Sequence, residues 1–365
     1  MAQPLMYETS VRAPKARPAL RLVKTQALHR NDWLAVRQSG IGSSDAAAAV
    51  GLNPYRSALE LWMDKTGRGG ALPQVDPNDE MSPMYWGTLL EPIVAAHYTK
   101  RTGRKVRRVN AVLQHPDHPW MLANLDREVL GDPSVQLLEC KTTGYNGARL
   151  WKDGVPEYVQ LQVMHQLAVT GKQAADVAVL ICGQELQVHR IERDESMIAQ
   201  LIALERRFWA FVESDTPPPA DGSASADLAL RCLYPQDMGT VLDWTQDLEM
   251  SSVFSDLLAV RQVLDRHEAL EAQLKQRIQQ RMGEASRVLF ETGEISWKRS
   301  KDTHVLDSAK LLKAHPVIWR MHASVKPGSR RFLVQPFEAA SNTVEAAADP
   351  IAKPTTSTTN PNAGH

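Results

Sequence analysis

The stretch Leu137-Leu138-Glu139-Cys140-Lys141 places two charged side chains in what otherwise looks like a buried strand. Glu139 and Lys141 are two residues apart, so on a strand both point to the same face. An unpaired charge in a protein core is costly, which favours a functional reason for this pair. The alternative is an exposed strand that carries an ordinary alternating Glu/Lys pair. These residues alone leave both interpretations open.

A second carboxylate, Asp126, lies on or just after the strand that precedes this one. A hairpin between the two strands would bring Asp126 to the face that carries Glu139. Carboxylate oxygens are the hard ligands that Mg²⁺ or Mn²⁺ prefers, and the backbone carbonyl of Cys140 can add a further oxygen. A lysine beside such a metal, here Lys141, can orient the attacking water or help to deprotonate it. The pattern is therefore compatible with a hydrolytic metal site, and the ordinary exposed strand remains the alternative.

Three polar residues on predicted helices are further candidates for this site. Glu91 is expected at the edge of a helix face on which Ile93 and Val94 point to the core. Gln160 and Gln162 lie early in the helix after the Glu-x-Lys strand, and glutamine can hold water or phosphate without changing the charge. Each of these residues is also compatible with an ordinary polar position on an amphipathic helix.

The order of hydrophobic periodicities predicts a mixed α/β, or α+β, domain. Helices come first, followed by strands, a helix, a strand pair and another helix. The predicted helices cover residues 29–38, 44–50, 58–66, 157–170, 197–212, 249–282 and 308–314, with one more around residues 86–97. The predicted strands cover residues 105–113, 121–130, 135–142, 174–182, 185–193 and 330–334, with a hairpin turn at Thr292-Gly293.

Composition changes along the chain predict its domain organisation. We expect a flexible arm at residues 1–19, a core domain at 20–215 and a linker at 216–226. A C-terminal module at residues 227–337 would contain the long helix and a small β part. The Ala/Thr/Asn/Pro-rich segment at residues 338–365 is expected to be a disordered tail.

Whole-chain properties exclude several classes of protein. Lys plus Arg and Asp plus Glu are balanced at 42 each, so only local basic runs, such as the six basic residues within 100–108, point to nucleic acid. No apolar run reaches the roughly 20 residues that span a membrane. Three scattered cysteines fit no metal-ligand spacing and suit a reducing cytoplasm. The chain has neither a P-loop nor a dinucleotide-binding glycine motif, so no use of ATP is expected.

Several motifs in a fixed order resemble the YqaJ-like viral recombinases, PD-(D/E)XK nucleases related to lambda exonuclease. The resemblance spans residues 32–334 and implies a restriction-endonuclease-like core, in which helices flank a central mixed sheet, with a C-terminal helical and β extension. Leu125 stands where the family usually has proline, and Met164 stands where a further glutamine is frequent. The matching stretches are residues 37–47, 51–55, 61–62, 86–91, 124–126, 138–142, 158–171, 295–297 and 330–333.

The resemblance also implies a role for each candidate. Asp126 and Glu139 would ligate Mg²⁺, or Mn²⁺ as its substitute. The backbone carbonyl of Cys140 would be a further ligand, and Glu91 would join the site directly or through a water. Lys141 would position the nucleophilic water, supported by Gln162 and by Gln160. A second set would hold the 5′-phosphate of the DNA, consisting of Arg37, Ser44, Asn124 and Gln160. Guanidinium groups and helix N-termini both suit phosphate.

The activity implied by the resemblance is a divalent-metal-dependent exonuclease that degrades linear duplex DNA from 5′ to 3′. The product would be a 3′ single-stranded overhang for phage-type recombination in a bacterial or phage-infected cytoplasm. Its partners would be double-stranded DNA, a single-strand annealing protein and further copies of the chain, a trimer by resemblance. Two alternatives stay open, an endonuclease or nickase on the same fold and a non-catalytic DNA-binding recombination scaffold.

Overall fold

A computed structural model describes residues 18–25, 29–74, 76–325 and 328–337 of the chain. The predicted flexible arm, apart from residues 18 and 19, and the predicted tail at 338–365 lie outside the described residues. The chain divides into two compact units, Met1–Ser300 and Lys301–His365.

The first unit combines α-helices with three β-sheets. Its helices are α1 (Arg30–Gln38), α2 (Ala46–Ala49), α3 (Ala58–Lys65), α4 (Pro83–Thr102), α5 (Tyr145–Ala148), α6 (Glu157–Thr170), α7 (Glu195–Glu213), α8 (Ala224–Leu233) and α9 (Leu248–Met282). Its strands are β1 (Leu20–Lys24), β2 (Ile41–Gly42), β3 (Lys105–Arg108), β4 (Ala111–Gln114), β5 (Met121–Ala123), β6 (Arg127–Leu130), β7 (Leu137–Thr143), β8 (Ala174–Ile181), β9 (Glu185–Glu192), β10 (Arg287–Phe290) and β11 (Gly293–Ser296). The second unit contains α10 (Ser308–Ala314) and α11 (Pro316–His322).

The largest sheet has the strand order β3-β6-β7-β8-β9, and it is mixed because β7 and β8 run parallel while the other pairs are antiparallel. A four-stranded sheet has the order β1-β4-β5-β2, and β10 and β11 form a separate hairpin. Helices and mixed sheets in this arrangement confirm the predicted α+β class.

Alternating residues of β7 point to opposite sides of the largest sheet. Leu138 and Cys140 pack in a cluster with Val94 and Tyr98 of α4. Leu137 belongs to the larger core that also contains Val159 and Val163 of α6. The sheet is therefore covered by a helix on each face, and Glu139 and Lys141 share the α6 side.

Helix α4 extends beyond the predicted residues 86–97 at both ends, and its terminal residues explain where it begins and ends. The Ser82 side chain caps it by accepting a hydrogen bond from the Met84 amide at 3.3 Å, and Pro83 occupies the first turn. Gly103 ends the helix in the left-handed conformation, with φ 73°. Pro92 lies inside the helix.

The buried face of α4 differs from the predicted one. Ile93 is 47% exposed, whereas Val94, Ala95 and Tyr98 are buried. Apolar residues occur on more than one side of this helix, so their spacing alone does not decide which side meets the sheet. The prediction that Ile93 faces the core is therefore wrong.

Two predicted strands are each broken in two. The segment at residues 105–113 divides into β3 and β4, and the segment at 121–130 divides into β5 and β6. In both cases the two halves belong to different sheets, since β3 and β6 lie in the five-stranded sheet and β4 and β5 in the four-stranded one. The chain crosses from one sheet to the other at Asn124-Leu125-Asp126, and this crossing sets the position of Asp126.

Residues 330–334 form no strand, which corrects the last predicted strand. Phe332 and Leu333 are 80% and 74% exposed. A strand needs a neighbouring strand for its backbone groups, and none of the sheets in the described part of the chain includes residues 331–334.

Helix α8 begins inside the segment predicted as a linker at residues 216–226. The Ser225 hydroxyl accepts a hydrogen bond from the Ser57 amide at 2.8 Å, and Ala226 and Ala229 are buried. The C-terminal part of that segment therefore packs on α3. In the described part of the chain, no helix is both long and apolar enough to cross a membrane.

Gly40 lies against the backbone at Trp120, and a substitution there tests how tightly β2 packs beside β5. A Cβ atom there would lie 2.6 Å from the Trp120 carbonyl oxygen and 2.8 Å from the Leu122 side chain. We expect Gly40→Ala to lower the free energy of unfolding by about 1–3 kcal/mol, because it overpacks the junction between β2 and β5. The control is Gly70→Ala, where a Cβ meets nothing within 4 Å. Equal urea midpoints for the two variants would contradict the expectation.

Candidate active site

The break between β5 and β6 brings Asp126 beside β7. The backbone amide of Cys140 donates a hydrogen bond to Oδ2 of Asp126 at 2.8 Å. Among the described residues, no donor contacts the other oxygen, Oδ1. One oxygen of Asp126 is thus anchored to the strand that carries Glu139, and the other is available to a ligand.

Glu139 is buried, with its carboxylate held by three side chains. Its Oε1 accepts a hydrogen bond from Gln162 at 2.6 Å and lies 2.8 Å from Nζ of Lys141. Its Oε2 accepts one from Gln166 at 2.8 Å. Lys141 also donates to Oε1 of Gln162 at 2.9 Å. The predicted residues Glu139, Lys141 and Gln162 therefore form one hydrogen-bonded cluster.

Gln166 belongs to this cluster and is absent from the predicted site. It lies four residues after Gln162 on α6, and residues four apart share a helix face. Gln160 and Gln162 were the two glutamines predicted for this site. They are two residues apart, and on a helix this spacing places side chains on nearly opposite sides. Gln160 donates to the Val155 carbonyl at 2.6 Å and does not join the cluster. Helical spacing was the signal that would have identified Gln166.

Met164 stands where the family frequently has a further glutamine, and its place on α6 shows what this difference changes. Met164 is buried in the main core and does not line the cleft. Leu125, at the other departure, is also a core residue. Both departures therefore replace core-packing positions rather than groups that face the site.

The charges within the cluster shift two pKa values. Burial, reinforced by the negative charge of Glu139, raises the pKa of Asp126 to about 8. Burial alone would lower the pKa of Lys141, but the neighbouring Glu139 and Asp126 outweigh it and raise that pKa above its ordinary value. Lys141 is consequently an ammonium donor, and the two carboxylates repel each other unless a cation lies between them.

Glu91 lies at the same cleft in a different setting. Its Oε1 accepts a hydrogen bond from Nη1 of Arg127 at 2.5 Å, and Arg108 lies 3.7 Å away. Within the described residues, no group of three or more His, Cys, Asp and Glu side chains is assembled as a metal site. Asp126 and Glu139 thus form a carboxylate pair, while Glu91 is neutralised by arginine.

An open cleft of about 320 Å³ gives access to these groups. One wall comes from the N-terminal half of α4 and the other from β7 and the β5–β6 break. The cleft is lined by Pro83, Met84, Gly87, Thr88, Glu91, Asp126, Glu139, Cys140, Lys141 and Thr142.

A second, smaller pocket of about 90 Å³ brings together three of the four residues predicted to hold a 5′-phosphate, and Gln160 does not line it. Arg37, Ser44 and Asn124 line it together with Trp33 and Ser43. The Asn124 carbonyl accepts a hydrogen bond from Gln166 at 3.4 Å. Gln166 therefore connects this pocket to the carboxylate cluster.

Part of the basic run at residues 100–108 is neutralised within the protein. Arg104 forms an ion pair with Asp132 at 2.6 Å, and Arg107 forms one with Glu128 at 2.6 Å. Charge density in the sequence therefore overstates the positive charge that these two residues present to a partner.

Comparison with known proteins gives a consistent assignment. Residues 32–173 match the model of the YqaJ-like viral recombinase domain. The chain is 33% identical over 303 residues to the uncharacterized protein YqaJ of Bacillus subtilis (strain 168), covering 82% of this chain and 92% of that protein.

Solved structures with similarity include an alkaline exonuclease, LHK-Exo, from Laribacter hongkongensis. It is 26% identical, with a TM-score of 0.41, over 51% of this chain and 93% of that chain. The same enzyme in complex with dAMP matches with a TM-score of 0.42 at 26% identity, over 51% of this chain and 93% of that chain. From the match to YqaJ along most of both proteins, we conclude that this chain belongs to the YqaJ-like viral recombinase family.

Proposed function

We propose that this protein is a divalent-metal-dependent DNA exonuclease. The observation that carries the proposal is the cluster of Asp126, Glu139, Lys141, Gln162 and Gln166 at an open cleft. A carboxylate pair beside a protonated lysine suits the hydrolysis of phosphodiesters, whose transition states carry extra negative charge. Family membership supports the same class of reaction.

The donor set fits a divalent cation. Asp126 and Glu139 offer hard oxygen ligands, and a cation between them would offset both the burial and the repulsion by Glu139 that raise the pKa of Asp126. The Cys140 carbonyl, next to Glu139 in the chain, is a further candidate ligand. Mg²⁺, or Mn²⁺ in its place, would lower the pKa of a coordinated water and neutralise phosphate charge.

The surrounding side chains have distinct roles in this proposal. Lys141, held by Glu139 and Gln162, donates a hydrogen bond to the attacking water or to a phosphate oxygen. Gln162 and Gln166 fix the orientation of the Glu139 carboxylate from α6. Glu91 would join the metal site through a water, since Arg127 already engages its carboxylate.

The small pocket would receive the 5′-phosphate of the strand that is degraded. Arg37 supplies a guanidinium for paired hydrogen bonds, while Ser44 and Asn124 supply neutral polar groups. Degradation would then run from 5′ to 3′ on linear duplex DNA and leave a 3′ overhang, the substrate of a single-strand annealing protein. Assembly into a homo-oligomer around the duplex belongs to the same proposal.

End-dependence is the first expected result. We expect linear duplex DNA with 5′-phosphate ends to be degraded about 10- to 100-fold faster than the same DNA with 5′-hydroxyl ends, the difference that charge-assisted hydrogen bonds provide. Closed circular DNA should resist. The measurement is nucleotide release from end-labelled substrates in Mg²⁺, in Mn²⁺ and with chelator.

Each other outcome identifies one of the alternatives. Cutting of closed circles at a comparable rate would assign the chain to the endonucleases or nickases. DNA binding without cleavage in either metal would assign it to the non-catalytic scaffolds. Equal rates on the two kinds of linear end would remove the proposed role of Arg37 and Ser44.

A further inference from the structure

A buried ion pair lies directly behind the small pocket and takes no part in the cleft. The side chains of Asp45 and Lys65 are 2% and 0% exposed, and Nζ of Lys65 lies 2.7 Å from Oδ2 of Asp45. The same Nζ donates to the backbone carbonyl of Arg37 at 2.7 Å. Lys65, from α3, thus fixes both the carboxylate and the end of α1.

Asp45 contacts the pocket wall at two points. Its Oδ1 accepts a hydrogen bond from Nη2 of Arg37 at 2.8 Å, and its Oδ2 accepts one from the Gly42 amide at 3.2 Å. Gly42 opens the turn that carries Ser43 and Ser44 into the pocket. One carboxylate therefore orients the guanidinium and the turn on which the proposed phosphate ligands lie.

Three cations approach the carboxylate of Asp45, and they differ in the other partners they have. Lys65, Arg37 and Arg56 all approach this single carboxylate, Arg56 at 3.4 Å. Arg56 is also matched by Glu60 at 3.3 Å and Asp64 at 3.0 Å. Arg37 has no other acidic partner among the described residues, and its side chain is 32% exposed. In the described part of the chain, Arg37 is therefore the one cation of the three that is partly exposed and paired with a single carboxylate.

Asp45 remains ionised in this setting. Burial by itself raises the pKa of Asp45, but the charges of Lys65, Arg37 and Arg56 outweigh it and hold the pKa below its usual range. The contacts that orient Arg37 are therefore charge-assisted, which makes them shorter and stronger than neutral hydrogen bonds.

We infer that Asp45 and Lys65 are positioning residues that set the preference for phosphorylated DNA ends by fixing Arg37 before DNA arrives. The inference rests on the proposed function of the pocket. A guanidinium that is already held in place loses little conformational entropy when it binds phosphate. The affinity for phosphorylated ends is therefore raised, and that for hydroxyl ends is not. Neither residue touches DNA in this scheme.

The test replaces both members of the pair, because removal of one alone would leave a buried charge without its partner. We expect Asp45→Asn/Lys65→Met to reduce the ratio of kcat/KM for 5′-phosphate over 5′-hydroxyl ends by about tenfold, with little change on hydroxyl ends. Asp45→Glu is the second variant. It keeps the charge but displaces the carboxylate, and it should reduce the same ratio even if the double variant fails to fold.

The matched control is Asp176→Asn. Asp176 is also a buried carboxylate, 3% exposed, and it accepts hydrogen bonds from Arg190 at 2.5 Å and from Tyr98 at 2.6 Å. It contacts neither Arg37 nor Gly42, so its loss should lower stability without changing the preference for phosphorylated ends. In parallel, fluorescence anisotropy in the presence of chelator measures the Kd of each variant for the same duplexes with and without the 5′-phosphate.

The outcomes separate the two proposals. If the wild-type protein shows no preference in rate or Kd, the proposed end recognition fails and this inference fails with it. If the wild-type protein prefers the phosphate and a folded Asp45 variant keeps the full preference, only the inference is overturned. It is also overturned if Asp176→Asn reduces the preference as strongly, since the effect would then follow from general destabilisation.

Discussion

Lys141→Ala is expected to reduce metal-dependent DNA degradation by about 100- to 1,000-fold, the cost of removing one preorganised donor from a phosphoryl-transfer site. Lys141 is the only cation that contacts Glu139 among the described residues, and its ammonium lies 2.8 Å from that carboxylate. The variant leaves Asp126 and Glu139 in place, so it tests the donor rather than the carboxylate pair. The measurement is the single-turnover rate on 5′-phosphorylated linear duplex in Mg²⁺.

A surface lysine provides the control for loss of charge. Lys275→Ala on α9 removes an exposed lysine whose one acidic partner among the described residues is Glu271 of its own helix. We expect this variant to keep the wild-type rate. If Lys141→Ala kept more than half of the wild-type rate, or if Lys275→Ala lost as much, the assigned role of Lys141 would be wrong.

The second large effect is expected on stability, at the buried pair of His165 and Glu205. Both side chains are fully buried, and Nδ1 of His165 lies 2.8 Å from Oε1 of Glu205. The other ring nitrogen lies 2.9 Å from the Leu122 carbonyl oxygen. Since a carboxylate and a carbonyl both accept hydrogen bonds, the ring donates from both nitrogens and carries a positive charge. Oε2 of Glu205 is buried and has no hydrogen-bond partner among the described residues. Burial of this carboxylate therefore carries a desolvation cost that a hydrogen bond at Oε2 does not offset.

Removal of one partner should therefore be more damaging than removal of both. We expect Glu205→Leu or His165→Leu alone to lower the free energy of unfolding by about 3–5 kcal/mol, because each leaves a buried charge uncompensated. The double variant should lose clearly less than the sum of the two. Urea unfolding followed by circular dichroism gives the coupling energy, and strictly additive losses would contradict the ion pair.

The same pair predicts a dependence of stability on pH. Burial alone would lower the pKa of His165, but Glu205, the Leu122 carbonyl and Asp45 outweigh it and raise that pKa above its ordinary value. A raised folded-state pKa means that the pair stabilises the fold fully below the unfolded pKa of about 6.5 and loses that contribution as pH rises through the folded pKa. The coupling energy should therefore fall on the alkaline side. A coupling energy that increased with pH would contradict this assignment.

The meeting of Glu139 and Lys141 could be predicted from local geometry. On any strand, residues two apart share a face, and Glu139 and Lys141 both contact Gln162 from β7. The same geometry on a helix gives a spacing of four, which is why Gln166 joins Gln162 and Gln160 does not. The strand period of two brings Glu139 and Lys141 together, whereas a spacing of two on a helix does not bring Gln160 to the same cluster as Gln162.

Contacts between distant segments could not be predicted in this way. Periodicity indicates that residues 121–130 are extended, but it does not indicate that the chain changes sheets at Asn124-Leu125-Asp126. That crossing depends on which strands find partners on each side. The exposure of Ile93 on α4 has the same origin, because an apolar residue is buried only if another element covers it.

The sequence by itself determined the family, the α+β class and the strand that carries Glu139 and Lys141, because motifs and periodicity are written in neighbouring residues. Only the tertiary structure decided that Gln166 orients Glu139, that Arg127 engages Glu91 and that Asp45 and Lys65 lie behind Arg37. These partners come from different elements, and their meeting depends on how sheets and helices pack. The strength of each contact depends in turn on the burial that this packing creates.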